Sequence, residues 1–271
     1  MNDKKDIKKE IKDTFDSAAK DYDSSDHFKV SSKEFVNLIE LEDSSKINIL
    51  DLSTGTGNLA IEFAKKFSKS EIYAIDISDE MLNMAKVKTK ELDIKNINYL
   101  NQDVENLELD NIKFDLVTCG YGLFFYPNMD GVLKDICSRL KEGGRLVFST
   151  FTTDAFEPYS QKFLEILDVT YDIRPPKVLE SMMLETKDEI ENFCSLVKYK
   201  DLEIKEIPIR YKMDIDELWK LFNSAGYKGL LNQLGERFDK FEKEYLGYLK
   251  SISIGNKIDF NADSYISIVK V

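Results

Sequence analysis

Between Ile47 and Phe151 short apolar runs alternate with stretches of helical periodicity, and this rhythm restricts the fold more than anything else in the chain. Residues 47–51, 71–76, 97–101, 114–119 and 145–151 read as strands, and residues 58–67, 80–92 and 129–140 read as helices. Strands alternating with helices at this spacing imply βαβ units, hence an α/β protein with a mainly parallel sheet covered on both faces. In such sheets ligands bind at the carboxyl ends of the strands.

Ile7, Ile11, Phe15, Ala18 and Tyr22 recur at helical spacing and predict an amphipathic helix lying on the body, followed by a second helix over 32–41. Beyond Thr152 the rhythm loosens. Helices are predicted over 155–170, 187–197 and much of 214–251, with strands at 202–210 and 264–271. These add up to one domain built on seven strands. Residues 1–45 form a helical cap, 46–151 the ligand-binding core, and 152–271 the remaining strands. Helical insertions near 154–185 and 212–250 are expected to make a lid over the strand ends.

Composition narrows the partner. The net charge is −12, and binding to nucleic acid rests on neutralising phosphates with Lys and Arg. A small molecule is the expected partner, and no nucleic acid. Cys119, Cys137 and Cys194 are far apart and odd in number, which argues against a disulfide framework or a zinc site. His27 is the sole histidine, so no metal centre is expected. No run approaches the roughly 20 apolar residues that span a bilayer, and the polar opening Met1-Asn2-Asp3-Lys4-Lys5-Asp6 is unlike a secretory signal. A cytoplasmic location is expected.

Within the core, residues 48–60 read Asn-Ile-Leu-Asp-Leu-Ser-Thr-Gly-Thr-Gly-Asn-Leu-Ala: a strand, a glycine bend and a helix start. Glycine lets a ligand approach the backbone closely, and the helix start offers free N–H groups. Gly55-Thr56-Gly57-Asn58-Leu59-Ala60 fits the loose form Gly-x-Gly-x-x-Ala, with Asp76 at the tip of the second strand. Nicotinamide enzymes and methyltransferases share both features. Asp51, just before the bend, separates them, because a carboxylate there suits a cationic ligand and repels a pyrophosphate. The sulfonium and ammonium of S-adenosylmethionine fit such a cradle.

The chain here resembles the class I S-adenosylmethionine-dependent methyltransferases, and most nearly the small-molecule group that includes the ubiquinone/menaquinone biosynthesis methyltransferases. Over residues 15–151 the likeness rests on Phe15-x-x-x-Ala19-x-x-Tyr22-Asp23, Leu50-Asp51-Leu52-Ser53-Thr54-Gly55-Thr56-Gly57, Ile75-Asp76-Ile77-Ser78-x-x-Met81-Leu82, Asn101-Gln102-Asp103-Val104-Glu105, Phe114-Asp115-Leu116-Val117 and Leu140-Lys141-Glu142-Gly143-Gly144-Arg145-Leu146. The resemblance implies a Rossmann-like fold and a set of roles. Ser53, Gly55 and Gly57 would face the methionine part of the cofactor, with Asp51 near its ammonium. Asp76 would accept both ribose hydroxyls. Ile77 and Met81 would flank the adenine, Asp103 would bond its amine, and Val104 would pack beside it. Gly120 and Tyr121 would line the boundary between donor and acceptor, and Tyr22 would close over the cofactor from the N-terminal helix.

Each role has a plainer rival. Asp51 could cap the turn, Asp76 the following helix and Asp103 a loop, while Tyr22 and Met81 could be ordinary core. Methyl transfer from a sulfonium is an in-line displacement, in which alignment in a dry pocket is the main task. A base is needed only for an acceptor that must lose a proton, and His27, Tyr121 and Tyr126 are the candidates. His27 lies in a polar stretch that reads equally as a surface turn. Arg174 and Arg210 could hold an acidic group or simply be solvated. The loop after the fourth strand, Cys119-Gly120-Tyr121-Gly122-Leu123-Phe124-Phe125-Tyr126-Pro127, lacks the Asn/Asp-Pro-Pro-Tyr of enzymes that methylate amino groups on bases or glutamine. Together with Trp219, Phe222 and Tyr227 it suggests a hydrophobic or aromatic acceptor. The competing readings are an NAD(P)-dependent oxidoreductase and a non-catalytic S-adenosylmethionine-binding module.

Overall fold

The computed structural model describes residues 2–24, 27–40, 46–109, 111–175, 183–224 and 226–271. Helices α1 (Asn2–Ala18) and α2 (His27–Asn37) precede the sheet, with a one-turn 3-10 helix at Tyr22–Ser24 between them. The alternating core follows as β1 (Asn48–Leu52), α3 (Asn58–Lys66), β2 (Glu71–Asp76), α4 (Asp79–Glu91), β3 (Ile97–Asn101), β4 (Phe114–Gly120), α5 (Met129–Arg139) and β5 (Leu140–Phe151). Then come α6 (Tyr159–Tyr171), α7 (Lys187–Cys194), β6 (Asp201–Ile207), β7 (Arg210–Asp214), α8 (Ile215–Ser224), α9 (Lys228–Asn232), α10 (Phe238–Ile252), β8 (Lys257–Asn261) and β9 (Ser264–Lys270).

Seven strands form one sheet in the order β3-β2-β1-β4-β5-β9-β6, and β7 pairs with β8 in a separate two-stranded sheet. β1 runs parallel to both β2 and β4, whereas β9 runs antiparallel to β5 and β6. The strand order turns back on itself between β1 and β4, which opens a crevice at their carboxyl ends. Alternate residues of the central strands feed opposite layers. Leu50, Leu52, Val117 and Phe148 pack in one core, and Ile49, Leu116 and Val147 in the other. A third core lies outside the sheet, where Phe163 of α6, Leu218 and Phe222 of α8 and Phe241 and Tyr245 of α10 meet Phe260 of β8.

Several boundaries differ from the sequence reading. The second helix starts at His27, not Ser32, because His27 and Phe28 sit in its first turn among aromatic rings. Tyr22 belongs to the 3-10 turn and not to α1. The strand predicted over 202–210 ends as β6 at Ile207, before Pro208, which lacks the N–H a ladder needs, and Arg210 already opens β7 in the other sheet. Among the described residues the helical stretch expected from 214 to 251 is three α-helices and a 3-10 turn at Gly235–Arg237, and β7 occupies the start of the second predicted insertion. β8 was not foreseen at all. Residues 41–45 of the cap, 176–182 of the first insertion and Ala225 lie outside the described residues.

Candidate active site

β1 ends in a bend that only a restricted set of residues can hold. Ser53, Gly55 and Gly57 have φ of +50°, +56° and +80°, the left-handed region that glycine enters at least cost. Gly57 is also the residue before α3, and a Cβ on it would meet the Tyr99 hydroxyl at 2.9 Å and the Ala85 Cβ at 3.0 Å. A Cβ on Gly55 would meet no atom within 4 Å. Gly55 lines the crevice, so the space above it is ligand space.

Asp76 ends β2 beside this bend. It is 7% exposed and accepts the Gly55 N–H at 2.8 Å and the Ser78 N–H at 2.9 Å, one on each oxygen. Burial pushes its carboxyl up to about 6 despite those bonds. Ser78, not Asp76, caps α4, by accepting the Met81 N–H. Asp51, 1% exposed, accepts the hydroxyls of Thr54 at 2.6 Å and Thr118 at 2.7 Å, and burial pushes it likewise to about 6. Two desolvated carboxyls whose hydrogen bonds come from these hydroxyl and backbone N–H donors are costly to keep charged. They suit a ligand that brings donors or positive charge.

A cavity of about 870 Å³ opens over the bend. Tyr22, Ser53, Gly55, Asp76, Ile77, Met81, Asp103, Val104, Gly120 and Tyr121 all line it. A smaller void of about 50 Å³ adjoins it and is lined by Asp51, Ser53, Thr54, Thr56 and Asn58 together with Tyr22, Gly120 and Tyr121. Gly57 lines neither, and supports the bend from behind.

Asp103 is already engaged. It caps the one-turn helix Val104–Asn106 through the Glu105 N–H, and Lys8 of α1 donates to it at 2.7 Å. Lys8 also pairs with Glu105 at 2.7 Å, so α1 is latched across this end of the cavity. The ring of Tyr22 stacks on Phe28 at 4.8 Å and meets Phe15 edge-on at 6.4 Å.

The far half of the cavity is aromatic. Phe124, Phe125, Phe151, Phe156, Phe222 and Tyr227 line it, from the β4 loop and from the outer helical layer. Tyr121, at φ +54°, stacks on Phe151 at 4.3 Å, and its hydroxyl contacts Ser264 Oγ at 3.0 Å. Burial raises its pKa, so the hydroxyl keeps its proton at neutral pH. Tyr126 contacts Ser53 Oγ at 2.7 Å and supports the bend from below. His27 does not reach the crevice: among the described residues that line either cavity it is absent. It is 1% exposed, ringed by Phe28, Tyr121, Phe151, Phe156 and Phe260, and burial pushes it down to about 4. Its ring is neutral, packed among aromatic side chains and away from the described lining of both cavities. Trp219 packs in the outer core and does not line the cavity. Arg210 is bound to Asp263, and Arg174 reaches the cavity wall while paired with Asp168 at 2.6 Å.

The sequence reading missed Lys8 and its pairing with Asp103 and Glu105. A lysine inside a polar helix looks solvated, and nothing local reveals the carboxylate it meets.

Comparison with known proteins gives a consistent result. The sequence model of the ubiE/COQ5 methyltransferase family matches residues 1–233. Demethylmenaquinone methyltransferase of Lactococcus lactis is 33% identical over 159 residues, 56% of this chain and 63% of that protein, so the match spans under two thirds of that relative's length. Malonyl-[acyl-carrier protein] O-methyltransferase 2 of Ilyobacter polytropus is 27% identical over 268 residues, 93% of each chain. Among solved structures, a candidate methyltransferase from Bacillus halodurans C-125 superimposes with a TM-score of 0.59 at 17% identity, covering 89% of this chain and 98% of that one.

Proposed function

The chain belongs to the ubiE/COQ5 methyltransferase family, and from that membership we propose that it moves a methyl group from S-adenosylmethionine to a hydrophobic, aromatic small molecule. Members of this family are S-adenosylmethionine-dependent enzymes, and the fold is the Rossmann-like one of class I methyltransferases. The observation that carries the reading is a single cavity, carboxylate-edged at the glycine bend and aromatic at its far end.

The cofactor half fits S-adenosylmethionine. Asp76 has lone pairs left after its two backbone bonds and stands where the ribose hydroxyls would lie. Asp51 with Ser53, Gly55 and the smaller void would take the amino-acid end, with Gly57 holding the bend from behind, and Tyr22 and Gly120 would close over it. Ile77, Met81 and Val104 would sandwich the adenine, with Asp103 sharing its oxygens between Lys8 and the exocyclic amine. When bound, the cofactor supplies an electrophilic methyl on a positively charged sulfur.

The chain's own groups then orient and dehydrate. Tyr121 and Gly120 would stand at the boundary of the two halves, and Phe124, Phe151 and Phe156 would exclude water from the line of attack. His27, outside the cavity lining, takes no proton in this reading, and Tyr121 would position the reacting groups.

The acceptor class follows from the walls. The two relatives are named for different acceptors, demethylmenaquinone and a malonyl group on a carrier protein. A malonyl carboxylate would call for a cation, and Arg174 is held by Asp168. The aromatic lining favours a quinone-type ring with an apolar body. A cytoplasmic setting is the finer part of the same reading: the three cysteines are free, which suits a reducing compartment. No described helix is long and apolar enough to cross a membrane. With the net charge of −12, a small molecule is favoured over nucleic acid.

The test runs two acceptors side by side with S-adenosylmethionine: a short-tailed demethylated naphthoquinol and a malonyl thioester. Mass spectrometry is expected to find methylation of the quinol alone. Methylation of the thioester instead would replace the acceptor class, and no calorimetric heat with S-adenosylhomocysteine would remove the cofactor reading.

A further inference from the structure

Asp23 follows Tyr22 in the 3-10 turn, but its carboxylate points away from the crevice and into the glycine bend. Oδ1 accepts the Thr56 hydroxyl at 3.0 Å and the Asn58 side-chain N–H at 2.8 Å, while Oδ2 accepts Lys88 Nζ at 2.8 Å. Lys88 also donates to Asn58 Oδ1 at 2.7 Å and to the Thr56 hydroxyl at 3.1 Å. All three ammonium donors are therefore used, and the four side chains close a ring of hydrogen bonds. The pair is withdrawn from water, with side chains 20% and 21% exposed.

The ring joins three parts of the cofactor half that are remote in sequence. Asp23 carries the turn of the N-terminal cap. Thr56 and Asn58 flank Gly57 in the bend, and both line the smaller void. Lys88 lies two turns along α4 from Met81, which lines the large cavity. Neither Asp23 nor Lys88 is among the lining residues, so any effect on a ligand passes through their neighbours. An exposed ion pair would contribute little. Burial raises the Asp23 carboxyl, yet the bonds from Lys88, Asn58 and Thr56 outweigh it and hold the group below its ordinary range.

We propose that Asp23, held by Lys88, is a positioning residue for cofactor binding: it pins the turn against the glycine bend and so fixes Tyr22 over the crevice before the ligand arrives. Three residues of 3-10 helix have little intrinsic persistence. Pinning one of them in advance removes an ordering cost that binding would otherwise meet. The proposal rests on the reading of the crevice as an S-adenosylmethionine site.

The experiment is a double-mutant cycle on the full chain, with S-adenosylhomocysteine affinity read by calorimetry. Asp23→Asn is expected to weaken binding by about tenfold in the parent chain and by less than about twofold when Tyr22→Ala is already present. A purely structural role would lower the melting temperature without making the two effects interdependent. Should Asp23→Asn not fold, Lys88→Met tests the same ring from the other side, with the same dependence on Tyr22 expected. Unchanged affinity in either folded variant, or additive losses with Tyr22→Ala, would overturn the proposal. Failure of the parent chain itself to bind S-adenosylhomocysteine would instead overturn the cofactor reading beneath it.

Discussion

Gly55 donates its backbone N–H to Asp76 Oδ2 at 2.8 Å, so the bend after β1 and the acid at the tip of β2 hold each other in place. The same carboxylate that would receive the ribose also shapes the backbone on which the cofactor would lie. Binding and local architecture are therefore coupled at this pair.

Asp76→Ala is expected to act twice. Loss of charge-assisted bonds should weaken S-adenosylhomocysteine by roughly tenfold or more. Leaving the Gly55 and Ser78 N–H groups without their acceptor should also lower unfolding free energy by about 1–3 kcal/mol. Calorimetry and denaturant unfolding check the two effects separately, and loss of stability with unaltered affinity would make Asp76 a structural residue only.

The pH dependence of the unliganded protein and of cofactor binding should run in opposite directions. Asp51 and Asp76 are both raised to about 6 by burial. A carboxyl raised in the folded state binds more protons folded than unfolded. Its contribution is complete below the unfolded value near 4 and is lost as pH rises through 6. His27, held down to about 4, acts in the opposite direction, because only its unfolded form takes up a proton between about pH 7 and about pH 5. A His27→Phe background isolates the carboxyl effect. Through these two carboxyls, lowering pH from about 7 to about 5 should stabilise the unliganded protein, on the order of 1–3 kcal/mol. The same protonation removes the charges that would meet the cofactor, so affinity for S-adenosylhomocysteine should fall as pH drops below about 6. In the His27→Phe background, a melting temperature that is flat or falling over that interval contradicts the assignment.

Gly57→Ala meets both a backbone and a packing obstacle. The residue has φ +80°, and the new Cβ would lie 2.9 Å from the Tyr99 hydroxyl and 3.0 Å from Ala85 Cβ, a helical atom with little room to yield. A loss of about 1–3 kcal/mol in stability is expected, with weakened cofactor binding because the bend must shift. Gly235→Ala is a useful control. It too has positive φ, but no atom stands within 4 Å of its added Cβ.

The latch of α1 should respond to salt. Lys8 pairs with Asp103 and Glu105 at 2.7 Å each while remaining partly exposed. Lys8→Met should speed hydrogen exchange in α1 by about two- to fivefold at low ionic strength, as expected for a few tenths to one kcal/mol of ion pairing. The difference should shrink near 1 M salt, where screening is strong. Exchange that is equally fast in both proteins at low salt would show that apolar packing alone holds the helix.

The outer layer was the hardest part to read. Trp219, Phe222 and Tyr227 look alike as apolar residues on predicted helices, yet Phe222 and Tyr227 line the cavity while Trp219 packs behind them against Phe241 and Tyr245. Helical spacing shows that a face is buried but not whether it faces a core or a ligand. β7 and β8 were missed for a related reason: each is five residues long, and each pairs along its whole length with the other.

What the chain determined unaided was local and repetitive. Apolar period and βαβ rhythm specified the layered sheet, the paired glycines specified the bend, and Asp51, Asp76 and Asp103 stood at strand ends where the periodicity put them. Tertiary structure alone decided which charged side chains meet. Nothing local marks a partner for Lys8 or Lys88 on their predicted helices, for Asp23 after Tyr22, or for His27 in its polar stretch. Folding made three of them into ion-paired struts around the cofactor half and sealed His27 in an aromatic cage. Burial and pairing depend on what packs from elsewhere in the chain, and a residue's own neighbours in sequence do not carry that information.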